Sequence, residues 1–130
     1  RWRGGSWSPG LKPYDYQVIV APNMYGDILS DLAAGLIGGL GMAPSANIGD
    51  EAAIFEPVHG SAPDIAGQNI ANPTAAISGI MMLKYLNEEN AAVKIENALI
   101  RVLKNKELHT KDIGGCLTTT EFKNEIIKEM

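Results

Sequence analysis

Asn23-Met-Tyr-Gly-Asp27-Ile-Leu-Ser-Asp31 lies between a short β-rich run and a long apolar one. Its two carboxylates are four residues apart, so on a helix they share a face. Like charges at that spacing repel by roughly 0.2–0.5 kcal/mol unless a cation lies between them. One reading is a pair of oxygen ligands for a hard divalent ion such as Mg²⁺ or Mn²⁺. The other is a solvated helix start, where Asp is favoured by the helix dipole. Spacing alone leaves both open.

Upstream, Tyr16-Gln-Val-Ile-Val-Ala21 is β-rich, ends at Pro22, and reads as a buried strand. The carboxylates therefore fall where a strand hands over to a helix, the usual ligand end of an α/β sheet. Downstream, Ile28, Leu29, Leu32, Leu36 and Ile37 form a stripe of period 3.6. Few polar residues accompany it, which predicts a helix covered on most sides by another helix or another subunit. Gly38, Gly39 and Gly41 end it.

Ala43 to Asp50 is a loop by composition, and Ala53-Ile-Phe-Glu56 a second strand stopped by Pro57. Val58 to Gly67 is a loop of small residues. Asn72-Pro73 marks a helix start running to about Leu86. A further helix spans about Asn90 to Asn105, with one wet side carrying Lys94, Glu96, Arg101 and Lys104. Thr110 to Gly115 is extended or turn, and Thr118 with Glu121 predicts a capping box for a last helix to about Lys128. The order is strand, helix, strand and three helices, too few strands for a whole α/β sheet.

The 130 residues carry a net charge of −4 and a pI near 5.1, which argues against a general nucleic-acid surface. No run is long and apolar enough to span a membrane. The single cysteine, Cys116, allows no internal disulfide and carries no motif; this fits a reducing compartment, cytoplasmic or the mitochondrial matrix in a eukaryote. Residues 1–12 hold both tryptophans without any period, and read as an atypical leader or truncation edge.

A second constellation is His59-Gly-Ser-Ala-Pro-Asp64-Ile65 with Asn72. Gly60 permits close backbone approach, and His59 can stack on a base or bond a ribose. Asp64 can accept from a ribose diol and repel a 2′-phosphate. Ile65 offers an apolar wall, and Asn72 the mixed edge that adenine needs. Each also has a plain reading: a turn histidine, a surface aspartate, a helix cap. Neither the G-x-G-x-x-G fingerprint nor a P-loop is present.

Asn23 to Asp31, and Glu56-Pro-Val-His-Gly-Ser-Ala-Pro-Asp-Ile-Ala-Gly67 with Asn72-Pro-Thr74, resemble the β-decarboxylating dehydrogenases: isocitrate, isopropylmalate and homoisocitrate dehydrogenases. The resemblance covers residues 13–130. It implies a partial α/β fold of that non-Rossmann type, with the chain too short for the whole two-domain subunit. Residues 13–37 would finish a small dimer-forming domain, and 38–130 would be the C-terminal part of a large cofactor-binding domain. Asp27 and Asp31 would bind Mg²⁺ or Mn²⁺, which chelates a 2-hydroxy acid. His59, Gly60, Ser61, Ala62, Pro63, Asp64, Ile65 and Asn72 would bind the adenosine half of the cofactor. NADP-using relatives carry Lys-Tyr where this chain has Asp64-Ile65, so the resemblance implies NAD.

Isopropylmalate enzymes commonly place an acidic residue after the second metal aspartate. Leu32 stands there, and Leu32 to Gly41 is more similar to NAD-dependent isocitrate or homoisocitrate enzymes, with isocitrate favoured. The alternatives are homoisocitrate, 3-isopropylmalate, or a non-catalytic NAD-binding or interaction subunit; the retained aspartates and His-Gly loop favour a catalytic type. The family's substrate arginines, catalytic tyrosine and catalytic lysine have no counterpart here, and Arg3 stands where a partner-facing metal aspartate would fall. The expectation is a C-terminal fragment of a dimeric or larger enzyme, inactive and poorly folded alone, with no catalytic residue of its own.

Overall fold

The computed structural model describes residues 15–130, so the atypical stretch at 1–12, with Arg3, lies outside the described residues. Helix α1 spans Asn23–Ile37. Strands β1 (Pro44–Ile48) and β2 (Ala53–Pro57) follow, then α2 (Ser78–Tyr85), α3 (Glu89–Lys104) and α4 (Thr119–Glu129). Short 3₁₀ turns sit at Leu40–Met42, Pro63–Ile65, Pro73–Ile77, Lys106–Leu108 and Lys111–Ile113. The class is mixed helix and strand, and among the described residues no helix is long and apolar enough to cross a membrane.

Two sequence expectations fail. Tyr16–Ala21 forms no strand, and Val18 and Val20 are 81% and 93% exposed. A strand needs a neighbour for its backbone donors and acceptors, and none lies beside this run among the described residues. Ala43 to Asp50 is not all loop, because Pro44–Ile48 is paired antiparallel with β2, Pro44 opposite Pro57 and Ile48 opposite Ala53. Loop-like composition is overridden by cross-strand pairing, and both prolines sit at the end of the ladder, where a missing N–H matters least. The hairpin closes through Gly49 N–H donating to the Ala52 carbonyl at 2.9 Å.

Helix α1 ends where its stripe does: Gly38 has φ 127° and its N–H donates to the last turn. The predicted covering of this helix is not supplied among the described residues. Only Ala34 is buried, and Ile28, Leu32, Leu36 and Ile37 stand exposed.

The core lies at the other end, where Leu99, Val102 and Phe122 are buried against Ile77, Leu103, Leu108, Leu117 and Ile126. Helix α3 supplies one face of it and keeps Lys94, Arg101 and Lys104 in water, as its pattern predicts. Ala92 and Ala98 are fully buried and let its neighbours approach closely. Lys84 bridges α2 to Glu96 on α3 at 2.8 Å, and Arg101 bridges α3 to Glu129 on α4. Phe55 of β2 meets Tyr85 of α2 with ring centroids 5.6 Å apart, which docks the hairpin on the helices.

The predicted capping box of α4 is present. Thr118 Oγ1 accepts from Glu121 N–H, and Glu121 Oε2 accepts from Thr118 N–H at 2.9 Å. These bonds, first from the Thr118 backbone and then from its hydroxyl, hold the Glu121 carboxyl below the usual glutamate range. The helix predicted from Asn72 begins with the 3₁₀ turn Pro73–Ile77 before becoming α-helical at Ser78.

Candidate functional site

An open cavity of about 930 Å³ lies between the turn after α1, the 59–72 segment, the Lys111–Ile113 turn and the start of α4. Pockets of roughly 300–1,000 Å³ are the usual size for small-molecule ligands. His59, Gly60, Ser61, Ala62, Ile65 and Asn72 line it. Pro63 and Asp64 do not: they sit in the exposed turn beside Ile65, where the Asp64 carbonyl accepts from Gln68 Nε2 at 2.7 Å.

His59 Nδ1 lies 2.9 Å from the Gly60 carbonyl. A carbonyl only accepts, so Nδ1 carries the proton in that bond, and Nε2 is left for a ligand. Ala62 is held at φ 41°, ψ 61°, left-handed for a residue with a Cβ and placed before a proline. Such backbone costs about 1–3 kcal/mol and persists only where the surroundings impose it.

Asn72 is a helix-start cap, as the plain reading has it: its Oδ1 accepts from Thr74 N–H at 3.0 Å. Its amide also donates to Asp112 Oδ2 at 3.0 Å and faces Met42 Sδ at 3.3 Å. The thioether is the weakest of these partners, so its N–H is the one a ligand can take over.

Met42, Asn69, Ile70, Ala71, Lys111, Asp112 and Thr119, which no sequence motif marks, also line the cavity. No spacing rule joins positions 42, 72 and 112; only the fold does. The Thr110 to Gly115 stretch carried a turn signal and no chemical one.

Asp27 and Asp31 share a face of α1, both exposed. Neither carboxylate takes part in a hydrogen bond or ion pair among the described residues. Two unpartnered carboxylates one turn apart are the oxygen donor set a hard cation takes, so the pair fits Mg²⁺ or Mn²⁺ as part of a site. Among the described residues no third acidic, His or Cys group stands close enough to complete it. Asp31 also lines a second, smaller cleft of about 280 Å³ with Glu56, Pro57, Val58 and His59. His59 thus stands in the walls of both spaces, and the two constellations read separately from the sequence are neighbours.

The chain is 59% identical over 120 residues to a 3-isopropylmalate/3-methylmalate dehydrogenase of Methanocaldococcus jannaschii, covering 92% of this chain and 36% of the relative. It is 57% identical over 121 residues to an isocitrate/homoisocitrate dehydrogenase of Thermus thermophilus, with the same coverages. The solved isocitrate dehydrogenase of Methylococcus capsulatus superposes with a TM-score of 0.87 at 47% identity, covering 95% of this chain and 38% of that one. The chain therefore spans about a third of the length of the relatives it matches. With residues 11–126 matching the isocitrate/isopropylmalate dehydrogenase family, the chain belongs to that family of β-decarboxylating dehydrogenases.

Proposed function

We propose that this chain is the NAD-binding and metal-contributing part of an oxidative decarboxylase of a 2-hydroxy acid, isocitrate, yielding 2-oxoglutarate. The observation that carries the reading is His59 in the walls of both the larger cavity and the Asp31 cleft. A cofactor seated along the 59–72 segment reaches the neighbourhood of the metal-binding face from there.

On this reading Asp27 and Asp31 hold the divalent ion and tie the substrate's oxygens to α1. The ion supplies Lewis acidity toward the hydroxyl and carbonyl oxygens of the acid, and NAD supplies the hydride acceptor. His59 Nε2 bonds or stacks on the adenosine half, Ser61 and Gly60 let the backbone approach it, and Ile65 packs against it. Asn72 reads the base once Met42 yields its contact. Asp64 stands at the rim, where its charge disfavours a 2′-phosphate. Leu32, directly after the second aspartate, supports isocitrate over 3-isopropylmalate. The relatives are named for both acids and for homoisocitrate.

The domain boundary falls near Ile37, with α1 in the smaller domain and its apolar face, Ile28, Leu32 and Leu36, forming a subunit seam in the complete enzyme. The 130-residue chain alone forms no NADH from isocitrate; NADH formation would overturn that part.

The test is calorimetry of the chain with ADP-ribose and with its 2′-phosphorylated counterpart. ADP-ribose binds at least about tenfold tighter. Replacing Asp64→Lys together with Ile65→Tyr reverses the order. Absence of binding by either ligand sinks the nucleotide reading, and equal affinities sink the preference for NAD.

A further inference from the structure

We infer that Asn69 is a positioning residue: it fastens the wall of the nucleotide cavity to the start of α4. The inference rests on the nucleotide reading of that cavity. Asn69 lies three residues before Asn72, lines the cavity, and adopts φ 58°. That left-handed backbone is one Asn tolerates better than most residues with a side chain.

What it touches explains the conformation. An α-helix begins with four backbone N–H groups that have no partner inside the helix. At α4 they belong to Thr118, Thr119, Thr120 and Glu121. The capping box takes the first and the last. Asn69, some 50 residues earlier in the chain, takes the other two. Its carbonyl accepts from Thr119 N–H at 2.9 Å, and its Oδ1 accepts from Thr120 N–H at 3.2 Å. Oδ1 also accepts from the Thr120 hydroxyl at 2.9 Å, and the Thr119 hydroxyl donates to the Ala71 carbonyl. Segment 69–71 is thereby stitched to a helix whose Phe122 is fully buried in the core. Asn72 follows directly, so the rigidity of the core is carried to its amide.

Without these bonds the wall samples other conformations. The apparent dissociation constant then rises by the inverse of the fraction still competent. The side chain and the backbone contribute separately. Gly at position 69 keeps the left-handed backbone and the carbonyl bond, and loses only the two Oδ1 bonds. Asp keeps the Oδ acceptor at a helix N-terminus, where its charge is favoured.

The experiment uses the full 130-residue chain, ADP-ribose as probe, and variants N69G, N69D and V102A. N69G is expected to weaken ADP-ribose about three- to tenfold, the range for losing a net hydrogen bond or two. It also speeds hydrogen exchange at the Thr120 amide. N69D restores affinity to within about twofold and restores Thr120 protection. Val102→Ala lowers the melting temperature from the core and leaves the affinity unchanged when measured well below melting. That separates positioning from general loss of stability. If N69G binds as the parent does, the inference falls and the nucleotide reading stands. If the parent itself binds no ADP-ribose, the nucleotide reading falls and takes the positioning role with it. Unchanged exchange at Thr120 in N69G overturns the inference on its own.

Discussion

Gly114 and Gly115 are adjacent, yet an alanine at each should fail for a different reason. Gly114 has φ 88° and open space around the position of a Cβ, so Gly114→Ala meets only the left-handed penalty, about 1–2 kcal/mol. At Gly115 a Cβ would stand 2.1 Å from the carbonyl oxygen of His109, 2.4 Å from its carbon and 2.6 Å from its Cβ. The oxygen must retreat by on the order of 1 Å to reach ordinary contact. It is not at liberty to do so. It accepts from Leu117 N–H at 2.9 Å, while Gly115 N–H donates to the Thr110 carbonyl, and the His109 ring nitrogens face the carbonyls of Leu103 and Ile113. Overpacking of a tight site costs about 1–3 kcal/mol and a lost hydrogen bond about 1 more, so Gly115→Ala should cost about 3 kcal/mol. Urea melts compared at constant slope read both values. Gly114→Asn recovers most of the first loss, since Asn tolerates that backbone; Gly115→Asn is worse than Gly115→Ala. Gly115→Ala should also weaken ADP-ribose, because the 109–115 loop carries Lys111 and Asp112 to the cavity. A cost at Gly115 below about 1 kcal/mol, or below that at Gly114, refutes the close approach as the reason for a glycine there.

Phe122 is fully buried at the centre of the core, and Phe122→Ala should remove about 3–5 kcal/mol in urea melts; a loss under about 2 would mean the core is not where it is placed. Glu121 has a lowered pKa in the folded chain, so it stabilises the fold above the usual glutamate range. That contribution is lost as pH falls through the lowered value, and Glu121→Gln should flatten the stability profile below the usual glutamate range. An unchanged profile would detach the shift from folding. Paramagnetic Mn²⁺ should broaden amide signals of α1 near Asp27 and Asp31, and the Asp27→Asn, Asp31→Asn double variant should abolish it; broadening that survives places the ion elsewhere.

Local chemistry was readable wherever a few consecutive residues decide it. Thr118 and Glu121 announce a capping box, Asn72-Pro73 a helix start, and the glycines after Ile37 a helix stop; each is present. Paired structure was harder. Pro44-Ser-Ala-Asn-Ile48 has loop composition and becomes a strand because β2 lies beside it, whereas Tyr16–Ala21 has strand composition and finds no neighbour among the described residues. A strand's stability belongs to two segments, and one-dimensional patterning sees only one. The cavity divides in the same way. His59 to Ala62, Ile65 and Asn72 lie close enough in sequence to be read together, but Asp112 reaches Asn72 across 40 positions. Turn residues such as Lys111 and Asp112 carry no periodicity that marks them as facing a ligand.

The complete occupation of the α4 start bears on how an anion is received in the cavity. Helix starts commonly bind phosphate through free N–H groups. This one has none to offer, since Thr118, Thr119, Thr120 and Glu121 all donate within the protein. A diphosphate there meets the helix only as a distant dipole. Its direct partners are then loop amides around Gly60, polar side chains such as Ser61, or the ammonium of Lys111, the only lysine or arginine on the wall among the described residues. Anion affinity in this cavity should therefore depend on ionic strength through one lysine, unlike a glycine-rich loop that holds phosphate with its backbone.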